Sequence, residues 1–281
     1  MIIFKKIPAF EDQLRKLQQS GPIGFVPTMG ALHRGHLELI RTASRENKNT
    51  VVSIFVNPAQ FNDPKDFLKY PVTLEKDIEL LAREDCDILF LPGLEEIYPQ
   101  GYTQAEYYDL GRLDEVLEGK FRPGHFQGVC RVVNRLLELV QPDNLYIGRK
   151  DYQQCLVISR LVKMKGWKTR VIICDTVREF DGLAMSSRNL RLTPGEREKA
   201  PVLFALLQYC RDHIQPGNLD GLKKYVHEQL LKNGIKKDYF EFARADSLET
   251  IESWDGVEPM VALIAVFIYE VRLIDNLIIS A

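Results

Sequence analysis

The sequence predicts an α/β protein: a doubly wound parallel sheet followed by a smaller α+β domain. Three observations carry that expectation. Short apolar runs at residues 23–26, 51–56, 87–91, 145–147 and 171–174 alternate with amphipathic helical patterns, as in βαβ units whose strands are buried under helices on both faces. The residues just after several of these runs are polar and glycine-bearing, and ligands of open parallel sheets bind beyond the carboxyl ends of the strands. Past residue 193 the alternation stops: residues 195–233 read as helices broken at Pro216-Gly217, and residues 238–279 hold strand-like apolar runs.

The first run leads into Pro27-Thr28-Met29-Gly30-Ala31-Leu32-His33-Arg34-Gly35-His36, which opens a helical pattern. A strand, a glycine turn and a helix start leave backbone N–H groups and the positive helix end directed outward, which suits a phosphate chain. His33 and His36 lie three apart on one face, so both imidazoles can donate into one polyphosphate. Gly35 between them lets a ligand approach the backbone without a Cβ in the way. Either histidine alone reads more readily as a cap or a surface residue. Together they form the His-x-Gly-His version of the HIGH motif and point to an adenine nucleotide.

The second run ends in Asn57-Pro58-Ala59-Gln60-Phe61, and the helix after it places Leu74, Ile78 and Leu81 on one face. The segment from Phe121 to Gly128 has turn chemistry around Arg122 and His125, which either reach a substrate or support the site from behind. It enters a helix with Val132, Val133, Leu136, Leu137 and Val140 on one face. The fourth run leads to Gly148-Arg149-Lys150-Asp151-Tyr152-Gln153-Gln154, and the fifth to Asp175-Thr176-Val177-Arg178-Glu179. Residues 181–193 break the pattern, which sets the expected domains at 1–178 and 179–281. Residues 260–269, the longest apolar run, have about half the roughly 20 residues of a membrane helix and read as a buried strand.

With 281 residues, 45% of them apolar and 27% charged, the chain has enough material for a well-buried core in two domains. A net charge of −2 argues against binding nucleic acid by bulk electrostatics and favours small-molecule chemistry. The five cysteines are odd in number, widely spaced and free of any CxxC pair, so they read as reduced core residues. The start Met1-Ile2-Ile3-Phe4-Lys5-Lys6 is apolar then basic, the reverse of a secretory leader, and the expected location is the cytoplasm with no membrane partner.

Histidines over phosphates, with Lys150 and Arg188 as cations, have the parts for in-line attack on the α-phosphorus of ATP, where charge grows on equatorial and leaving oxygens. The Met185-Ser186-Ser187-Arg188 segment lies in a stretch, 181–189, expected to be mobile and to close over ATP. Gln60 and Gln154 present neutral amides that suit a hydroxy acid whose carboxylate must stay nucleophilic; each reads equally well as a cap or a surface amide. The His-x-Gly-His turn alone also fits a nucleotidyltransferase that makes a dinucleotide, or a nucleotide- or tRNA-binding regulator without turnover.

Taken together, the segments around residues 27–36, 52–61, 122–126, 150–154, 176–179, 185–189 and 271–276 resemble the pantoate-β-alanine ligase family, within the HIGH-motif nucleotidyltransferases that share a Rossmann-like fold with class I aminoacyl-tRNA synthetases. The resemblance implies condensation of pantoate with β-alanine through an enzyme-bound pantoyl adenylate, with ATP as substrate, Mg2+ accompanying it, and a homodimer. It also implies an ATP site at Met29, Gly30, Ala31, Leu32, His33, Arg34, Gly35, His36, Gly148, Arg149, Lys150, Asp151, Val177, Met185, Ser186, Ser187 and Arg188, with His36 as proton donor. Gln60 would take both pantoate and β-alanine, and Gln154 pantoate. Met-Ser-Ser-Arg stands for the KMSKS loop. The chain departs from the pattern at Arg149, where an acidic residue is usual and which would add positive charge beside the phosphates. It also has Ala59 for the usual Met, and Cys155 after Gln154.

Overall fold

The computed structural model describes residues 1–102 and 106–279. The chain forms two compact units, Met1–Arg149 with Gln153–Asp175, and Lys150–Tyr152 with Thr176–Ala281. The main division falls after Asp175, and the short piece Lys150–Tyr152 packs with the second unit.

The first unit is built on six strands: β1 (Ile2–Phe4), β2 (Ile23–Thr28), β3 (Asn49–Ile54), β4 (Ile88–Phe90), β5 (Asn144–Gly148) and β6 (Arg170–Cys174). They lie in the order β1-β4-β3-β2-β5-β6, every neighbouring pair parallel. Five strands coincide with the apolar runs. β1 does not: its three residues are largely exposed, and only pairing with β4, Ile2 against Ile88, makes them a strand.

Helices cover both faces, which is why β3 is buried at all six positions and carries no polar alternation. On one face Phe10, Phe25, Val51 and Phe90 pack with helix His125–Val140, and the Phe10 and Phe90 rings stack at 4.0 Å. On the other, Leu37, Ile40 and Ala43 of helix Arg34–Glu46 meet Val26, Val52, Leu89 and Tyr146. Each such fully buried large side chain contributes about 1.5–3 kcal/mol.

β2 pairs with β3 along its whole length, from Ile23 against Asn49 to Thr28 against Ile54, but meets β5 only at Gly24 against Asn144 and Phe25 against Leu145. The ladder between β2 and β5 therefore stops well before their carboxyl ends. Strand order also reverses there, which makes this the crevice where a doubly wound sheet binds its ligand.

In the second unit, β8 (Lys236–Arg244), β10 (Met260–Ile268) and β11 (Val271–Ile279) form an antiparallel sheet in the order β11-β10-β8, beside a short pair of β7 (Gly217–Asn218) and β9 (Ser253–Trp254). β10 is the buried strand expected of the long apolar run. Helices Val202–His213 and Asp220–Lys232 bury Leu203, Leu207, Val226 and Leu230 against Phe240, Phe242 and Ile264.

The stretch expected to be a mobile loop is hydrogen-bonded along its length. Glu179 N–H donates to Leu183 O at 2.8 Å and Met185 N–H to Val177 O at 3.0 Å, making a tight hairpin that runs into the 3-10 helix Ser187–Arg191. Arg197 ties its tip through Asp181 at 2.6 Å and holds that carboxyl below its ordinary range, so the tie persists at neutral pH and is lost only in acid.

None of the five cysteines forms a disulfide, and burial pushes the thiols of Cys86, Cys130 and Cys210 up to about 12 and that of Cys174 to about 11. They stay protonated and poorly nucleophilic at neutral pH. Among the described residues no helix is long and apolar enough to cross a membrane.

Candidate active site

The turn after β2 is shaped by a carboxylate that sequence reasoning passed over. Gly30 and Ala31 both take left-handed backbone, with φ of 79° and 48°. Asp77, only 1% exposed in helix Leu74–Leu81, accepts the N–H of Ala31 at 2.9 Å, the N–H of Leu32 at 2.8 Å and the Thr73 hydroxyl at 3.0 Å. A Cβ on Gly30 would lie 3.0 Å from the Asp77 Oδ2 atom and 3.1 Å from Ile54, so the tight approach needs glycine. Asp77 shares the buried face of Leu74 and Leu81, three residues after one and four before the other. A lone acid on an apolar helical face was the available signal.

Helix Arg34–Glu46 begins with a capping box made of histidines. Gly35 N–H donates to His33 Nδ1 at 3.2 Å and His33 N–H donates to His36 Nδ1 at 3.3 Å. Gly30 N–H goes to the Thr28 hydroxyl at 3.2 Å. The expectation of outward-facing amides is therefore corrected: the N–H groups of Gly30, Ala31, Leu32, His33 and Gly35 are all engaged within the protein. What the turn offers instead is imidazole. Because Nδ1 accepts in both rings, each neutral ring carries its proton on Nε2 as a donor, and the rings stack at 4.0 Å. Ala31 and Leu32 are buried and shape the turn, whereas Arg34 is exposed.

Gln60 ends the short 3-10 helix Pro58–Gln60, and buried Asn57 sets its orientation. The Asn57 amide nitrogen donates to Gln60 Oε1 at 3.1 Å and to Gly128 O at 3.1 Å, while its oxygen accepts from Tyr98 OH at 2.8 Å. With its oxygen held, Gln60 turns its Nε2 toward Met29 Sδ at 3.1 Å, bringing two predicted site residues from neighbouring strand ends together.

His125 resolves the two readings of its loop. Its Nε2 lies 3.1 Å from Arg122 Nη1 and its Nδ1 lies 2.7 Å from Gln60 O. Arginine can only donate, so Nε2 accepts and Nδ1–H donates to the carbonyl of Gln60. These contacts make His125 a support for Gln60, with Arg122 behind it.

Gly128 has no room for a side chain, since a Cβ would sit 2.1 Å from Ala59 O. Gly128→Ala is expected to destabilise the protein by about 1–3 kcal/mol through overpacking and to lower activity by displacing Gln60. Thermal unfolding with steady-state kinetics checks both, and an unchanged melting temperature would refute the contact.

At the end of β5, Gly148 and Arg149 lie in the first unit, and the Arg149 guanidinium pairs with Asp175 just past β6. The Asp175 side chain is largely exposed, so the pair sits at the surface. The two adjacent glutamines also separate. Gln153 is buried and spends its amide on Glu118 N–H at 3.0 Å, Leu113 O at 2.8 Å and Val116 O at 2.9 Å. Gln154 is half-buried, with no side-chain hydrogen bond among the described residues.

In the second unit, Lys150 Nζ pairs with Asp151 at 3.0 Å. Val177 and Met185 face each other in the hairpin, Ser186 Oγ caps the following turn by accepting Arg188 N–H at 3.3 Å, and Ser187 is buried. Arg178, which the sequence offered without a role, lies in this hairpin, bridged to Ala184. It makes two hydrogen bonds to Asp275, at 2.7 and 3.0 Å, and one to Gly182 O at 3.1 Å, and it lies 3.7 Å over the Phe204 ring.

The family model for pantoate-beta-alanine ligase matches residues 2–278. The chain is 43% identical over 280 residues to the pantothenate synthetase of Azobacteroides pseudotrichonymphae genomovar. CFP2, covering 99% of each. It is 41% identical over 285 residues to that of Caldicellulosiruptor bescii, covering 100% of each. Among solved structures, pantothenate synthetase from Thermus thermophilus superposes with a TM-score of 0.92 at 42% identity, covering both chains fully. Pantoate-beta-alanine ligase from Francisella tularensis, complexed with beta-gamma ATP and beta-alanine, superposes with a TM-score of 0.84 at 40% identity, covering 99% of this chain and 97% of that one. The chain therefore belongs to the pantoate-β-alanine ligase family.

Proposed function

We propose that the chain condenses (R)-pantoate with β-alanine in two displacements, yielding pantothenate, AMP and pyrophosphate. A pantoate carboxylate oxygen attacks the α-phosphorus of ATP, the bond to the bridging oxygen breaks, and pyrophosphate leaves. The amine of β-alanine then attacks the acyl carbon of pantoyl adenylate, the C–O bond breaks, AMP leaves and the amine gives up a proton. The observation that carries the reading is the 3.1 Å contact of Gln60 with Met29, which sets an oriented amide for a hydroxy acid beside the histidine turn. An acid activated by ATP must lie next to the nucleotide it attacks.

In this reading His33 and His36 donate from Nε2 to phosphate oxygens, and His36 protonates the departing group. Lys150 and Arg188 stabilise charge that grows in the displacement. Residues 29–36, 148–151, Val177 and 185–188 bind ATP, Gln60 binds both acyl and amine substrates, and Gln154 binds pantoate. Among the described residues no group of three or more His, Cys, Asp or Glu is placed to hold a metal ion. Mg2+ accompanies the ATP substrate in this reading. Residues 1–178 serve as the ATP- and pantoate-binding domain, and 179–281 as a C-terminal domain led by the KMSKS-like segment. The enzyme works as a cytoplasmic homodimer on small molecules, without nucleic acid or membrane partners.

Labelled pyrophosphate is expected to exchange into ATP when pantoate is present and β-alanine absent, since no residue assigned to the first displacement needs the amine. Exchange that appears only after β-alanine is added, or that proceeds without pantoate, would exclude the acyl adenylate route.

A further inference from the structure

Lys150 follows β5 in sequence, yet the piece Lys150–Tyr152 packs with the second unit. Two hydrogen bonds hold it there. Asn276 Nδ2 donates to Lys150 O at 2.8 Å, and Tyr152 OH donates to Ala245 O at 2.8 Å. Asn276 is a buried side chain on β11, opposite Leu263 of β10. Its neighbour Asp275 is buried too and accepts two hydrogen bonds from the Arg178 guanidinium. Asn276 N–H donates to Asp275 Oδ1 at 2.8 Å, and Arg178 Nη2 donates to Asn276 O at 3.4 Å. A continuous polar chain thus runs from the Lys150 carbonyl through Asn276 and Asp275 to Arg178 and the hairpin that leads to Arg188.

Such a chain is a poor way to stabilise a sheet. Two adjacent polar side chains on a buried strand must each be fully satisfied to avoid a desolvation cost, and apolar residues would hold β11 against β10 without that demand. We propose that Asn276, backed by the Asp275–Arg178 pair, is a positioning residue that fixes the main chain of Lys150, so that the ammonium is held ready for the growing phosphate charge. The inference rests on the functional reading that gives Lys150 a role in the displacement. Misplacing a preorganised group by a fraction of an ångström to an ångström costs rate without removing the group.

A double-mutant cycle on turnover and on pantoate-dependent pyrophosphate exchange tests it, using the full chain. Asn276→Ala is expected to slow both by roughly 10- to 100-fold while the pantoate KM changes little. In the Lys150→Ala background the same substitution should cost less than about threefold, because a residue that acts through Lys150 has nothing left to position. Losses that multiply across the cycle, or normal turnover in Asn276→Ala, would overturn the proposal. If Asn276→Ala does not fold, Asn276→Ser enters the same cycle, with circular dichroism establishing that it is folded. Normal turnover in Lys150→Ala would instead remove the functional reading and the positioning role with it. A crippled Lys150→Ala with multiplying losses would remove the positioning role alone.

Discussion

Lys150→Ala is expected to lower turnover at saturating substrates by on the order of 10² to 10³, the loss typical when one preorganised charge-stabilising donor is removed. Arg188→Ala should fall in the same range. Both variants should fold. Lys150 pairs with Asp151, whose side chain is 43% exposed, so removing the lysine strands no buried carboxylate. Arg188 contributes to its turn through its backbone N–H to Ser186 Oγ, and alanine keeps that bond. Lys150→Arg retains charge but replaces a compact ammonium with a planar fork, and should recover only part of the rate. Single-turnover formation of pyrophosphate alongside circular dichroism separates chemistry from folding. A folded variant with near-normal turnover would cost that residue its assigned role.

Asp77→Ala should have the largest effect on stability among the site's neighbours. The substitution leaves the N–H groups of Ala31 and Leu32 in a buried place without their acceptor. At about 1–3 kcal/mol for each of the two unsatisfied donors, the loss amounts to roughly 2–6 kcal/mol. The turn should also change shape, because a left-handed alanine is held there by those two hydrogen bonds. The ATP KM is therefore expected to rise along with the loss of stability. Asp77→Asn keeps the volume and one acceptor, and should fall between wild type and Asp77→Ala. Urea unfolding and ATP kinetics on the same samples decide the matter. An unchanged unfolding midpoint would contradict the hydrogen-bond assignment, and a destabilised variant with normal ATP KM would limit Asp77 to a structural role.

Periodicity alone determined much about this protein, because it is a local property of the chain. Strands β2 to β6 lie on the apolar runs, helices Arg34–Glu46 and His125–Val140 on the amphipathic patterns, and the long run at 260–269 forms buried β10. The parallel arrangement and its ligand-binding strand ends follow, since such runs bury both faces only beneath crossover helices. Of the residues that the resemblance marked, Met29, Gly30, Gln60 and Gly148 lie at or just past these strand ends, whereas Met185 to Arg188 lie in the second unit. Tertiary structure alone decided how they are used, because the deciding contacts join positions far apart in sequence. Asp77 engages amides 46 and 45 residues away and so takes the N–H groups that a strand-turn-helix pattern offers a phosphate. Arg149 finds Asp175 across 26 residues, and Lys150 is tied to Asn276 across 126. Gln153 and Gln154 are identical in type and adjacent, and only packing turns one inward to Leu113 and Val116 while leaving the other half-exposed. β1 is a strand solely because β4 supplies its partner. Hydrogen-bond donors are satisfied by whatever the fold brings near them, and one-dimensional patterning carries no information about that choice.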